Sequence, residues 1–313
     1  MALFQDMQID VAAQRAAIGL TKHIPKISVF AKNFAPVGDF YGNGVAVPVL
    51  GNTQGVTTGQ APGTLTADVW CSNLEQANGV RIPLDVNYVK SYAVTDYEAG
   101  VTEQNDLYLA DMGYAIGDYI GQEVSRYVFQ TALSESKILS AAGETSLSAI
   151  SHALPALTAT PQTAKRAYTS LAADASLSCN PYDSVLVLAP AYFYQLVDAL
   201  EYQVYGSQDA VRFGVVPGFA GFKDVILAPE LTGTIKGLII PWNTFGVVAR
   251  WNKPAGGGMG VVESWPEFDE KTGFPFGFRA FYHNCKGALI FGGDVLFGAK
   301  IVQKGIIPLV AAS

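Results

Sequence analysis

From about Thr102 to Lys137 the chain carries no proline, and apolar or aromatic residues recur at 109, 112, 116, 119, 120, 124, 127 and 128. That alternation of three and four is the spacing of one helical face. A helix of this extent is roughly 50 Å long at 1.5 Å per residue, against about 12 residues for an ordinary one. Acidic residues at 96, 98, 103 and 106 stand near its start, where the helix dipole favours negative charge. Gly113, Gly117 and Gly121 form a stripe four residues apart, and each costs about 1 kcal/mol relative to alanine. Such a stripe marks close approach by another backbone, or a bend. It is no dinucleotide fingerprint, because it lies inside a helix rather than after a strand.

A rod of this length needs a body to pack against, and the composition says how that body is clothed. Asp, Glu, Lys and Arg make up only 15% of the 313 residues, while apolar residues make up 50%. Ordinary soluble domains average about 25% charged. A deficit this large fits a surface that largely faces other protein, the preferred reading, or simply a large core. The net charge of −7 argues against general binding to nucleic-acid phosphates, which needs clustered Lys and Arg. An acidic wall can nevertheless enclose DNA. Cys71, Cys179 and Cys285 show no paired spacing, so no disulfide framework and a reducing compartment are expected. The start, MALFQDMQID, has no basic region followed by an apolar run, which excludes a signal peptide there. The longest uncharged stretches are broken by Gly, Pro and hydroxyls, so no membrane span is expected.

Residues 1–50 read as an extended arm with a short helical segment near 9–19 (IDVAAQRAAIG). Arg15, Lys22, Lys26 and Lys32 outnumber Asp6 and Asp10, leaving this arm locally basic. From Phe40 to Ala67 the chain carries no charged residue, and Gly51, Gly55, Gly59 and Gly63 recur among threonines. This stretch reads as the tip of a long loop or hairpin. Its return strand is 79–96, with Val80, Ile82, Leu84, Val86 and Tyr88 at period two. Beyond the long helix, Thr160 is placed to cap and Pro161 to open a second helix with Ala164, Ala167 and Leu171 on one face. A strand at 184–189, a helix at 190–200 and strands near 224–228, 236–241 and 245–251 follow. The tail reads as long strands returning to the first sheet.

No polar constellation announces catalysis. "AGGGMG" at 255–260 is not followed by Lys-Ser/Thr, and neither G-x-S-x-G nor H-E-x-x-H occurs. His283 and Cys285 share one strand face but lack further ligands, so packing is the preferred reading. His23 and His152 stand in irregular connections and suggest no triad. The acidic run Glu263, Glu267, Asp269 and Glu270 reads as a solvated loop or one facing a neighbour's lysines. No enzyme activity, cofactor or metal is expected.

The order of parts in 184–231 is more specific. "SVLVLAPAYFYQLVDAL" leads into "YQVYGSQDAVRFGVVPGFAGFKDVILAPEL" and then "GLIIPWNTFGVVAR". This succession resembles the axial domain of tailed-phage major capsid proteins of the Hong Kong 97 type, and the remaining parts follow that family's order over nearly the whole chain. The resemblance implies an α+β fold with an N-terminal arm (1–45) and an extended loop (46–90). It further implies a peripheral domain (91–159 and 266–313, including a spine helix at about 102–137) and an axial domain (160–265). Arm and loop would lap onto neighbouring subunits. Gly206 and Arg212 would bound a polar loop at the capsomer axis. Gly218 and Gly221 would permit a tight turn anchored by Phe219 and Phe222. With Gly113, Gly117 and Gly121 these are the expected assembly residues.

By the same resemblance the function is a virion shell: hexamers and pentamers of one chain enclosing double-stranded DNA without sequence-specific contact. A separate scaffolding protein, a portal and a cement protein are the implied partners, with assembly in the host cytoplasm. The chain enters its arm directly at Met1, so scaffolding is expected either as a separate protein or as a segment already trimmed. Some family members carry a covalent cross-link from a lysine in the extended loop; here no lysine lies between Lys32 and Lys90, so none is expected. An encapsulin-type bacterial compartment is the alternative, and an α/β enzyme without recognisable motif is the third reading.

Overall fold

The computed structural model describes residues 2–33, 44–49, 78–95, 106–134, 152–175, 180–200, 214–219, 221–242, 244–250, 261–268, 274–302 and 305–312. The chain opens with α1 (Ala2–Thr21) and α2 (Ile24–Ser28), then β1 (Ala31–Asn33), β2 (Gly44–Val49), β3 (Asn78–Pro83) and β4 (Val86–Thr95). The long helix, α3, spans Asp106–Ser134. After it come β5 (His152–Ala153), α4 (Pro161–Ala175), β6 (Ser184–Leu188), α5 (Pro190–Leu200), β7 (Val215–Phe219) and β8 (Phe222–Leu227). The remainder is strand: β9 (Ile235–Pro241), β10 (Phe245–Arg250), β11 (Val261–Phe268), β12 (Pro275–His283), β13 (Ala288–Ile301) and β14 (Ile307–Val310).

These strands form two six-stranded sheets and one separate hairpin. In the first sheet β13 is the centre. One of its edges carries β4 in antiparallel register from Ala288↔Thr95 to Phe297↔Val86. The other edge carries β12 and then β10, and β11 and β1 complete the sheet outside them. The second sheet runs β5-β14-β9-β6-β8-β7. Its central strand β6 (SVLVL) is buried at every position, as a near-continuous apolar run requires. A single apolar cluster is shared by both sheets and by α1, α3, α4 and α5.

α3 lies on the first sheet, and the face read from its spacing is the face it buries: Ile116, Ile120, Val124 and Val128 are fully enclosed. Tyr119, counted on that face, is instead exposed at 41%, since position 119 falls at the edge of the stripe. The strand read at 79–96 is two strands. β3 pairs with β2, from Gly44↔Pro83 to Val49↔Asn78, and β4 leaves for β13. Pro83 has no N–H to extend the first ladder, so the chain changes partner at Leu84 and Asp85. The alternation nevertheless persists through the change, with Ile82, Leu84 and Val94 buried between exposed neighbours.

Three expectations are corrected. The helical segment read near 9–19 is longer, spanning Ala2–Thr21, and Ala12, Ala13, Ala16 and Leu20 are buried within their own chain. An alanine-rich helix has few large side chains, so its short apolar face was easy to underrate. β10, placed with the axial segment, belongs to the first sheet through β13, and β11, which straddles the expected boundary at 265/266, joins the same sheet through β12. β14, placed with the first sheet, joins the second through β9 and β5.

Candidate assembly surfaces

The glycine stripe of α3 faces α1 of the same chain. A Cβ built on Gly113 would fall on the backbone of Ala12, and one on Gly117 on the carbonyl of Ala16. From the other side, a Cβ on Gly19 of α1 would reach the backbone at Tyr114 and Asp118. Small residues thus face small residues along two helices running in the same direction, and the backbones touch. Gly121 meets the His23 side chain instead, 2.8 Å from its Cδ2 if a Cβ were added. The close approach foreseen for the stripe is real, and its partner is an element of the same chain.

Where α1 ends, a polar cluster fastens it. His23 Nε2 lies 2.9 Å from Asp118 Oδ1, Lys22 Nζ donates to the same oxygen at 3.3 Å, and Gln122 Nε2 donates to Oδ2 at 2.8 Å. A carboxylate only accepts, so the His23 proton sits on Nε2. Burial holds the His23 imidazole below its usual range, outweighing the bond to Asp118. Burial pushes the Asp118 carboxyl up, but the hydrogen bonds from His23 and Lys22 outweigh it and the net direction is down. This pair was missed from sequence because His23 and Asp118 are far apart in the chain and neither sits in a motif.

The Phe-Ala-Gly-Phe knot is the turn of the β7–β8 hairpin. Phe219 pairs with Phe222 across it, and both rings are buried. Gly221 has φ +89° and Gly218 φ +58°, a backbone region that residues with a Cβ rarely enter. A Cβ on Gly221 would stand 3.7 Å from Ala172 Cβ, whereas around Gly218 nothing lies within 4 Å. Phe219 packs edge-on against Tyr168 of α4, ring centroids 6.4 Å apart. Tyr168 Oη in turn donates to the Tyr192 carbonyl at 3.1 Å, joining α4, α5 and the hairpin. Tyr168 did not stand out in the sequence, where Ala164, Ala167 and Leu171 defined the helix face; it is the large side chain that fills that face.

The β2–β3 hairpin leaves the first sheet at a defended root. Tyr127 Oη of α3 donates to Asp85 Oδ1 at 2.9 Å, and the Tyr127 ring is flanked by Tyr88 and Phe297. Ile82, Leu84, Val248 and Val302 form a small separate core beneath the hairpin. Lys90, the first lysine after Lys32, is engaged on its own chain: its Nζ lies 4.8 Å from the centroid of Tyr119 and 5.4 Å from that of Tyr92.

Gly206 and Arg212, the loop tip between the two strands of the hairpin, and the "AGGGMG" loop lie outside the described residues. Cys285 is an exposed free thiol. Among the described residues no three His, Cys, Asp or Glu are grouped to hold a metal, and no helix is long and apolar enough to cross a membrane.

Neither a family model nor a curated protein matches the sequence. Solved structures do match. The capsid structure of cyanophage P-SCSP1u superimposes with a TM-score of 0.51 at 16% identity, covering 91% of this chain and 87% of that one. A chain of Gordonia phage Cozz gives 0.52 at 13% identity over 92% and 87%. The mature capsid of bacteriophage PhiM1 gives 0.50 at 11% identity over 91% and 85%. The fold is α+β, of the Hong Kong 97 capsid type, and the similarity runs nearly end to end.

Proposed function

We propose that this chain is a major capsid protein that assembles, as hexamers and pentamers, into an icosahedral shell around the double-stranded DNA of a tailed phage. The observation that carries the reading is the end-to-end fold shared with chains of phage capsids. The low charge content supports it, because a shell subunit covers much of its surface with neighbours. The sheets support a revised division of the chain. The first sheet with α1 and α3 is the peripheral unit; the second sheet with α4 and α5 is the axial unit. The β2–β3 hairpin is the base of the extended loop. The partners are further copies of the chain, a separate scaffolding protein, a portal and, for a shell without cross-links, a cement protein.

Purified protein examined by negative-stain electron microscopy and light scattering tests this. Closed shells or capsomers are expected. A species that stays monomeric under every assembly condition overturns the reading. Shells that fill with cargo enzymes instead of DNA in the native host replace it with the bacterial-compartment reading.

A further inference from the structure

Two pairs of strands lie end to end where the sheets meet. β9 pairs with β14 in the second sheet and β10 pairs with β13 in the first. Counting on from Phe245↔Ile301, one residue at a time along each strand, reaches Ile239↔Ile307 without a slip. The two ladders therefore share one register, and the bond from Thr244 N–H to the Pro241 carbonyl lies between them. Thr244 closes the turn there: its N–H and Oγ1 both bond the Pro241 carbonyl, at 3.2 and 2.7 Å. Val302 N–H bonds the Thr244 carbonyl at 2.7 Å, and Trp242 N–H bonds Asp183 at 2.9 Å. Two strands with no third beside them are soft at a turn, so the angle between the sheets is held by the apolar core they share and by side-chain contacts across it.

A side-chain hydrogen bond spans the units away from that turn. Ser125, buried on α3, donates from Oγ to Glu230 Oε1 in the turn after β8 at 3.2 Å. The second oxygen, Glu230 Oε2, is buried with no hydrogen-bond partner in the protein. Lys26 of α2 also reaches the second unit: a Cβ on Gly214, immediately before β7, would come 3.2 Å from its Nζ. Burial holds the Lys26 ammonium below its usual range, outweighing the opposing charge of the Glu230 carboxylate. Ser125 spans the units through Glu230 and Lys26 through Gly214, so removing either side chain acts on both units together.

We infer that Ser125, Glu230 and Lys26 form a clasp that sets the angle between the two sheets, with the turn at Pro241–Thr244 as its hinge. The inference concerns a single chain and holds whether or not copies assemble. It is tested by hydrogen exchange with mass spectrometry on the full-length chain and on Ser125→Ala, Glu230→Gln and Lys26→Met. Opening the clasp is expected to speed exchange at Trp242 and Val302 by about tenfold, the equivalent of one lost charged hydrogen bond. Amides inside each sheet, such as Leu186 and Val295, should keep the parent's rates. Unchanged rates at Trp242 and Val302 overturn the inference. So does acceleration that is equal in all regions, in the mildest variant as in the others, because that is plain destabilisation.

Discussion

His23 illustrates how one side chain ties the sequence to a measurable pH response. Its folded pKa lies below the ordinary value because burial disfavours the charged ring. A group shifted down in this way contributes fully while neutral, above its unfolded value of about 6.5. The contribution is lost as the pH falls below that value toward the folded one. Asp118, shifted down by its partners, keeps its contribution until the pH drops through the carboxylate range. Urea midpoints should therefore fall between pH 7.5 and 5.5, and His23→Gln should flatten that slope; an equal slope in the variant removes the assignment. Gly117 makes a steric prediction at the same scale. Gly117→Val places its Cβ on the Ala16 carbonyl and should cost about 1–3 kcal/mol in urea unfolding, as overpacking does. Gly233→Ala, with nothing near its Cβ, should change stability little.

At the scale of elements, two hairpins are held by different means. The β7–β8 turn depends on backbone conformation. Gly221→Val forces a branched residue to φ +89° and should cost about 1–3 kcal/mol, enough to block shell formation. Gly218→Asn, at φ +58° in open space, should cost clearly less because asparagine tolerates that region. Thermal melts and particle yield read both, and equal losses would refute the turn assignment. The β2–β3 hairpin depends on a side-chain bond at its root. Tyr127→Phe removes the donor to Asp85 and should cost about 0.5–1.5 kcal/mol, with proteolysis between β3 and β4 as the local readout. Both turns were readable in part: the Gly and Phe spacing marked the first, while the alternation through Leu84 concealed the change of partner at the second.

For the whole molecule, the absence of lysine between Lys32 and Lys90 leads to an expected outcome for shells. Mature particles boiled in SDS should run as a single monomer band; a ladder of multimers would show covalent cross-linking and overturn this. Lys90 stacked against Tyr92 and Tyr119 already has a role within its own chain. The long helix, the strand–helix pair at 184–200 and the Phe-Ala-Gly-Phe turn follow from local periodicity, capping and glycine placement, which neighbouring residues determine among themselves. Which helix the glycine stripe receives, that His23 meets Asp118, and that β10 and β14 exchange the sheets expected of them are long-range matters. A stripe of glycines specifies close contact but not its partner, and an apolar strand fits either sheet equally well. Only the packed chain decides between them, because burial is settled by what the rest of the fold brings alongside.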